Sequence, residues 1–327
     1  MIQSSTKKQV VGINIGYEMT TFAIIDVRGN ELDRRSFPTL DYPNINTFIS
    51  HLCDQVVTMI EQNCGYENIR SVGVSAPSGN HLTGCIEYSP NLPWKGEIPL
   101  AAMMRDRLGL AVTVGNDAHV RALGEVTYGS AHGMKDFVLV MLGHGVGSCL
   151  FSHGHPHLGQ SGFAGEFGHA CLMKDGRECG CGRRGCLEAY CSHDGIVQTA
   201  KELLEERPDI PSLMRGVETL DPKIIQDFCD QGDELAIETY RRTGEALGFG
   251  LANYASVVNP EAIIVTGGIS KAGKWLLEPA NDAFESHVFH NVQNRVKIMT
   301  SSLGDDERDV LGASVLAWSV KEYSLFK

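Results

Sequence analysis

The sequence predicts an α/β fold made of two similar halves. Three observations carry that reading. Two apolar strands flank a Gly turn at Val10–Ile15, Gly16 and Thr20–Val27, and the device recurs at Phe137–Leu142, Gly143–Gly145 and Val146–Phe151. The two copies lie about 125 residues apart, the mark of a duplicated α/β half. Strand-like and helix-like runs alternate between and after them. Finally, the chain has 327 residues, and at roughly 150 residues per domain that suggests two domains.

The elements follow in order. Arg28-Gly29-Asn30 is a turn signal, and Glu31–Phe37 reads as a third strand. Ile45–Gln62 has apolar residues at helical spacing. Ile69–Ser75 is a buried-looking strand that enters the loop "APSGNHLTG". Leu100–Leu108 is a short helix, and Ala111–Val114 is a strand that ends at "GNDAH". In the second half, helices are predicted at Asp194–Glu206, Asp221–Cys229 and Asp233–Val258. "EAIIVTGGIS" is a strand and a Gly turn that opens a helix near Lys271. Val296–Thr300 is a last strand, and Asp309–Glu322 is a closing amphipathic helix.

Composition narrows the function. A hydrophobic content of 43% fits a globular protein with a real core. Lys+Arg number 28 against 40 Asp+Glu, a net charge of −12. An acidic chain without a basic cluster argues against broad nucleic-acid binding and against an anionic membrane surface. No apolar run reaches the roughly 18 residues of a membrane span. The N-terminus lacks the apolar core of a secretory signal, so a cytoplasmic location is expected.

The chain has 10 cysteines. Cys53, Cys64, Cys85, Cys149 and Cys229 are scattered and read as buried free thiols. The other five cluster in "GHACLMKDGRECGCGRRGCLEAYC". There His169, Cys179, Cys181 and Cys186 form H-x9-C-x-C-x4-C, with Gly176, Gly180, Gly182 and Gly185 allowing a tight loop. Three thiolates and an imidazole suit tetrahedral Zn²⁺, and four protein ligands make the site structural rather than catalytic. Cys171 and Cys191 fall outside the pattern and read as packed thiols.

Asp117 in "VGNDAHVRALGE" lies where a strand gives way to a helix. Asp is a good helix N-cap. It is equally a carboxylate at the C-terminal end of a sheet strand, where α/β folds bind ligands. Glu166 and His169 in "GFAGEFGH" are polar groups in a small-residue segment, suited to a polyhydroxyl ligand or simply to a solvated loop. Glu188 lies two residues after the last zinc cysteine. Three Gly turns, "NIGYE", "LGHGVG" and "VTGGIS", each follow an apolar strand, and their N–H groups can cradle phosphates. None has the Walker A or G-x-G-x-x-G pattern.

Together, "SPNLPWKGEIPL", "GNDAHVRALGE", "GFAGEFGH" and "CGCGRRGCLE" closely resemble the ROK family of bacterial sugar kinases and repressors, glucokinase-like members especially. The resemblance runs nearly end to end. It implies a two-lobed α/β fold of the actin-like ATPase (ribonuclease H-like) type, with a ligand cleft between the lobes. The lobes would be residues 1–121 plus 309–327, and 122–308. It also implies ATP-dependent phosphorylation of a hexose hydroxyl, usually at C6, with Mg²⁺ accompanying ATP and a structural zinc. By the same resemblance Asp117 is the base, and Asn116, Glu166, His169 and Glu188 hold sugar hydroxyls. Asn91 and Gly79 lie in loops near the sugar. Asn14, Gly16, Thr20, Gly143, His144, Gly145, Gly267 and Gly268 form the nucleotide side. A homodimer is expected. The repressors of the family carry a DNA-binding domain before the first phosphate turn. About nine residues precede the first strand here, too few for such a domain, so DNA is not an expected partner.

The sugar side matches the family pattern and the ATP side departs from it. The first turn is usually Asp-x-Gly-Gly-Thr-Lys/Asn. Here Asn14 lacks the charge for a metal, Tyr17 replaces a Gly that takes positive φ cheaply, and Glu18 adds a negative charge near phosphates. His144 stands where the second turn usually has Thr. Thr20, on the strand that follows, is expected to supply a hydroxyl. Two functions follow: a hexose kinase with a weakened or unusual phosphate donor, and a sugar sensor of the same fold that has lost phosphoryl transfer.

Overall fold

The computed structural model describes residues 7–90 and 92–320, apart from the side chains of 305–307. The chain divides into two compact units. The first comprises 1–133, 158–164 and 302–327, and the second comprises 134–157 and 165–301. Each is described separately.

The first unit is built on a five-stranded sheet. Its strands are β1 (Gln9–Ile15), β2 (Met19–Asp26), β3 (Glu31–Pro38), β4 (Ile69–Ala76) and β8 (Val112–Asn116). The order is β3-β2-β1-β4-β8, with β1, β2 and β3 antiparallel and β4 and β8 parallel to β1. Three short strands, β5 (Gly79–Asn80), β6 (Cys85–Glu87) and β7 (Glu97–Ile98), form a small separate sheet that the sequence pattern does not show. Helix α1 (Ile45–Asn63) starts where the Asn44 side chain accepts from the N–H groups of Asn46 and Thr47. It buries Phe48, Leu52, Val56 and Ile60 against one face of the sheet, together with α2 (Leu100–Leu108). Helix α3 (Asp117–Tyr128) leaves the end of β8.

The second unit repeats the plan. Its strands are β9 (Phe137–Leu142), β10 (Val146–Ser152), β11 (His155–Pro156), β12 (Ala262–Thr266) and β13 (Lys297–Thr300), in the order β11-β10-β9-β12-β13. The hairpin strands are again antiparallel and the last two parallel. The duplication read from the two Gly turns is therefore a duplication of sheet topology. Its helices are the short α4 (Glu188–Cys191), then α5 (His193–Glu206), α6 (Pro222–Asp230), α7 (Glu234–Val258) and α8 (Lys274–His287). One core runs from the sheet through Leu247 and Leu251 of α7 to Leu276 and Phe284 of α8.

The closing helix α9 (Asp305–Trp318) belongs to the first unit and covers the face of its sheet opposite α1. It begins one turn earlier than the expected Asp309, and part of the expected end, 321–322, lies outside the described residues. Its approach to the sheet is very close. A Cβ on Gly12 would stand 2.4 Å from the Val310 carbonyl oxygen, and one on Gly73 would stand 2.0 Å from that of Ala313. Only glycine fits there. Helix α3 packs on the same helix, with Gly312 against the Val120 carbonyl. This explains why the first unit extends to residue 133 rather than to the expected 121, which would cut α3 in two.

Candidate active site and metal centre

In the first unit the expected residues gather at the C-terminal ends of three parallel strands. Asn14 pairs with Ser75, and Ala76 with Asn116, so β1, β4 and β8 end side by side. Asn116 is the N-cap of α3, its Oδ1 accepting from the Ala118 N–H at 2.9 Å. Asp117 is the first helical residue. The capping alternative for Asp117 is therefore taken by its neighbour, although Asp117 Oδ1 also receives the Ala118 N–H at 2.8 Å. Burial pushes the Asp117 carboxyl above its ordinary value. Arg121 and the Ala118 N–H pull it down, and Asp309 pushes it up. Gly79 abuts the strand just before Asn116, since a Cβ there would lie 2.5 Å from the Gly115 carbonyl oxygen.

Asn80, which no motif singled out, joins two loops. Its Nδ2 donates to the Ser161 carbonyl at 2.8 Å and to Glu87 Oε1 at 3.0 Å, and its Oδ1 accepts from the Leu82 N–H. Residues 78–82 and 158–164 are thus one piece. Asn91 lies outside the described residues.

The first Gly turn is tight, the Gly16 N–H donating to the Met19 carbonyl at 2.9 Å. Tyr17 is half exposed and does not adopt positive φ, so the strain expected of it does not arise. Thr20 is completely buried. Its hydroxyl bonds to that of Thr39 at 2.9 Å, and Thr39 in turn donates to the Gly16 carbonyl. The hydroxyl expected to reach a phosphate therefore points inward and braces the turn from beneath. Asn14 Nδ2 donates to Asp309 Oδ2 at 3.1 Å, and Arg121 Nη2 donates to the same oxygen at 3.0 Å.

In the second unit His169, Cys179, Cys181 and Cys186 come together with all four ligand atoms within 4.8 Å of one another. Cys181 Sγ and Cys186 Sγ are 3.7 Å apart, and Cys179 Sγ and His169 Nδ1 are 3.7 Å apart. A tetrahedron with Zn–S near 2.3 Å and Zn–N near 2.0–2.1 Å has edges of about 3.8 Å between sulfurs and about 3.6 Å between sulfur and nitrogen. The donor set fits zinc in number, chemistry and spacing. Cys171 is exposed, pairs across the loop with Cys186 as a β-bridge and stands outside the set, while Cys191 is buried in the core.

Glu188 ties this centre to the second Gly turn. Its Oε2 accepts from the Val146 N–H at 2.8 Å, and its Oε1 lies 3.4 Å from Cys179 Sγ and 3.9 Å from His169 Nδ1. Glu166 precedes the short helical turn Phe167–His169 and is exposed. Gly267 packs on the end of β9, where a Cβ would meet the Leu142 carbonyl at 2.2 Å, and its φ of +93° suits glycine. Gly143–Gly145 and Gly267–Gly268 thus stand side by side at one edge of the unit. His144 faces His193, with ring centroids 5.5 Å apart, and the His193 N–H donates to the Gly143 carbonyl.

A two-unit α/β chain with a duplicated sheet topology, a buried carboxylate at a strand end and a Cys₃His loop defines the actin-like ATPase fold of sugar kinases. The ROK family model matches residues 10–320, and the chain belongs to the ROK family. It is 30% identical to a glucokinase of Halalkalibacterium halodurans over 319 residues, which is 95% of this chain and 94% of that one. A ROK family glucokinase from Streptomyces griseus, solved in complex with glucose and AMPPNP, superposes with a TM-score of 0.79 at 29% identity, covering 95% and 99% of the two chains. The chain is also 26% identical to the xylose repressor of Bacillus spizizenii over 302 residues, 90% of this chain and 73% of the repressor. No helix among the described residues is long and apolar enough to cross a membrane.

Proposed function

We propose that the protein phosphorylates a hexose, taking the γ-phosphoryl group of ATP, with Asp117 as the base. The observation that carries this reading is the division of labour at the end of β8. Asn116 caps α3, and Asp117 is left as a sheltered carboxylate of raised proton affinity. The similarity to glucokinases over nearly the whole chain supports it.

In the reaction Asp117 accepts the proton of a sugar hydroxyl, the C6 hydroxyl of an aldohexose or N-acetylhexosamine. The freed oxygen pair bonds to the γ-phosphorus, and the bond from that phosphorus to its bridging oxygen breaks, leaving ADP. Such a transfer needs alignment and charge stabilisation more than covalent help. Burial makes Asp117 the better acceptor, while the Arg121 charge opposes that shift. Asn116, the loop at Gly79, Glu166, His169 and Glu188 are the groups assigned to sugar hydroxyls, the carboxylates accepting from paired hydroxyls. Asn14, Gly16, Gly143, His144, Gly145, Gly267 and Gly268 form the phosphate and nucleotide turns, with Thr20 bracing the first.

His169, Cys179, Cys181 and Cys186 would hold zinc, which would supply order to the loop and no chemistry. Holding Nδ1 leaves His169 Nε2 for a sugar hydroxyl. A coupled ADP-release assay across a hexose panel tests the proposal. Turnover with at least one hexose, lost in Asp117→Asn, is the expected result.

Asn14, Glu18 and His144 on the donor side, together with the xylose repressor relative, favour a second reading: a sugar sensor without phosphoryl transfer. Hexose binding by calorimetry without turnover on ATP, GTP or polyphosphate would select it.

A further inference from the structure

The ion pair beneath the first Gly turn is unusual for its position. Arg121 Nε lies 2.7 Å from Asp309 Oδ1, a charge contact, while Arg121 Nη2 donates to Oδ2 at 3.0 Å. The Asn14 amide donates to that same Oδ2. Both charged side chains are largely sheltered, 18% and 17% exposed. Placing a guanidinium and a carboxylate there carries a desolvation cost that such a pair only partly recovers. It is therefore weak as a stability device, and its location invites a functional reading. Arg121 lies one helical turn after Asp117, on the same face of α3.

Asn14 and Asp309, the polar groups at the end of β1, do not suit a divalent cation. Hard cations take carboxylate oxygens. Asn14 is neutral and its Nδ2 is turned to Asp309. One Asp309 oxygen receives two N–H donors, and the other faces the guanidinium Nε. A cation could reach Asp309 only by expelling Arg121. The positive charge already resident beside Asn14 is the guanidinium, fixed through Nε and Nη2, and its Nη1 amino group has no partner among the described residues. A planar guanidinium with free donors is well suited to phosphate oxygens.

Resting on the kinase reading above, we propose that Arg121, held in place by Asp309 and Asn14, is the cation that the protein supplies to the donor's phosphates at the first turn, where position 14 is neutral and the Asp309 carboxylate is engaged. Asp309 and Asn14 are positioning residues that aim it.

The test is calorimetric binding of ADP, with magnesium or with EDTA, to the full chain. Wild type is expected to bind ADP with less than about a threefold change between the two conditions. Arg121→Gln/Asp309→Asn, which removes both charges and leaves no uncompensated ion, is expected to lose about tenfold or more in EDTA, the scale of a charge-assisted hydrogen bond. Asn14→Asp/Asp309→Asn returns a carboxylate to position 14, and its ADP binding is expected to become magnesium-dependent. Circular dichroism and the midpoint of thermal unfolding establish folding for each variant. Magnesium-dependent ADP binding in wild type that is unaffected by removing the charge pair would overturn the proposal and leave the kinase reading standing. No ADP binding in either condition, with glucose binding intact, would overturn both.

Discussion

Replacing Cys179 with Ser tests whether the metal centre organises the sugar-binding side of the second unit. The loop's own buried apolar cluster is small, Cys179, Cys186 and Ala189 with Tyr190 at the edge, beside backbone bonds and the Arg177 guanidinium, which donates to Ala189, Gly195, Thr199 and Glu202. Zinc would tie His169 to Cys186, a span comparable to a 15-residue loop, whose closure by a cross-link is worth about 3 kcal/mol. Serine cannot replace a thiolate here, so most of that constraint is released. The consequence reaches the ligand side through two residues. His169 loses the bond that fixes its ring, and Glu188 loses the Cys179 Sγ that lies 3.4 Å from its Oε1. Partners that orient a ligand in this way typically change affinity by about 10–100-fold. Metal content by atomic emission and glucose affinity by calorimetry are read on the same sample. Zinc should fall well below one per chain and glucose affinity by at least about tenfold, or roughly 1.4 kcal/mol. Cys171→Ser, exposed and outside the ligand set, should change neither. A zinc-free Cys179→Ser protein that binds glucose as wild type does would refute the coupling.

Three further outcomes are expected. Asp117→Asn should lower kcat by about 10²–10⁴, the usual contribution of a positioned base. It should also raise the unfolding midpoint at pH 7. The folded-state pKa of Asp117 is raised, so its ionised form disfavours the fold above the unfolded value of about 3.9. Below that value the carboxyl is protonated in both states, and the gain should vanish in acid unfolding curves. Asn80→Ala removes the hydrogen bond to the Ser161 carbonyl that joins residues 78–82 to 158–164, together with those to Glu87 and Leu82. It should cost about 1–3 kcal/mol by urea titration and change the ratio of kcat/KM values among hexoses more than kcat for the best one. Gly73→Ala, which brings a Cβ to 2.0 Å from the Ala313 carbonyl, should destabilise by about 1–3 kcal/mol or more as α9 is pushed off the sheet. A soluble variant with an unchanged unfolding midpoint would contradict the packing described.

What was legible in the sequence is what depends on local period and spacing. Most strands of both five-stranded sheets show as apolar runs, β3 follows from the turn before it while the two-residue β11 gives no signal, and the duplicated turn shows as the same run–Gly–run pattern twice. The ligand set His169, Cys179, Cys181 and Cys186 shows because a metal loop is written within a few residues. Contacts made across hundreds of residues were not legible. Nothing near Asn14 announces Asp309, 295 positions away. The sequence reading even began a helix at Asp309, whereas the structure puts that residue inside α9. The i,i+4 spacing of Asp117 and Arg121 was the one available hint of the cluster. Thr20 misled because strand alternation gives the face of a side chain and not its partner, and Thr39 supplies that partner. His193 carried no motif and is placed by its N–H bond to Gly143.

The close packing of α9 makes Asn14 beside the first turn, Arg121 and Asp309 depend on one another. Gly12, Gly73 and Gly312 let α9 approach the sheet and α3 to backbone contact, so a side chain at 309 has little freedom. An aspartate there meets position 14 directly. With a carboxylate also at 14 the two like charges would stand within hydrogen-bond distance, which a neutral amide avoids by donating. Without Arg121 the Asp309 charge would be sheltered and uncompensated, a defect of about 3–5 kcal/mol when one partner of a buried pair is removed. Asn14, Arg121 and Asp309 are thus a single electrostatic solution spread over β1, α3 and α9. Asn14 alone looks like the loss of a metal ligand. In its setting it is the neutral member of a cluster that, on the proposal above, brings its own cation to the first Gly turn, and a kinase with an altered donor site would account for that cluster more fully than simple decay does.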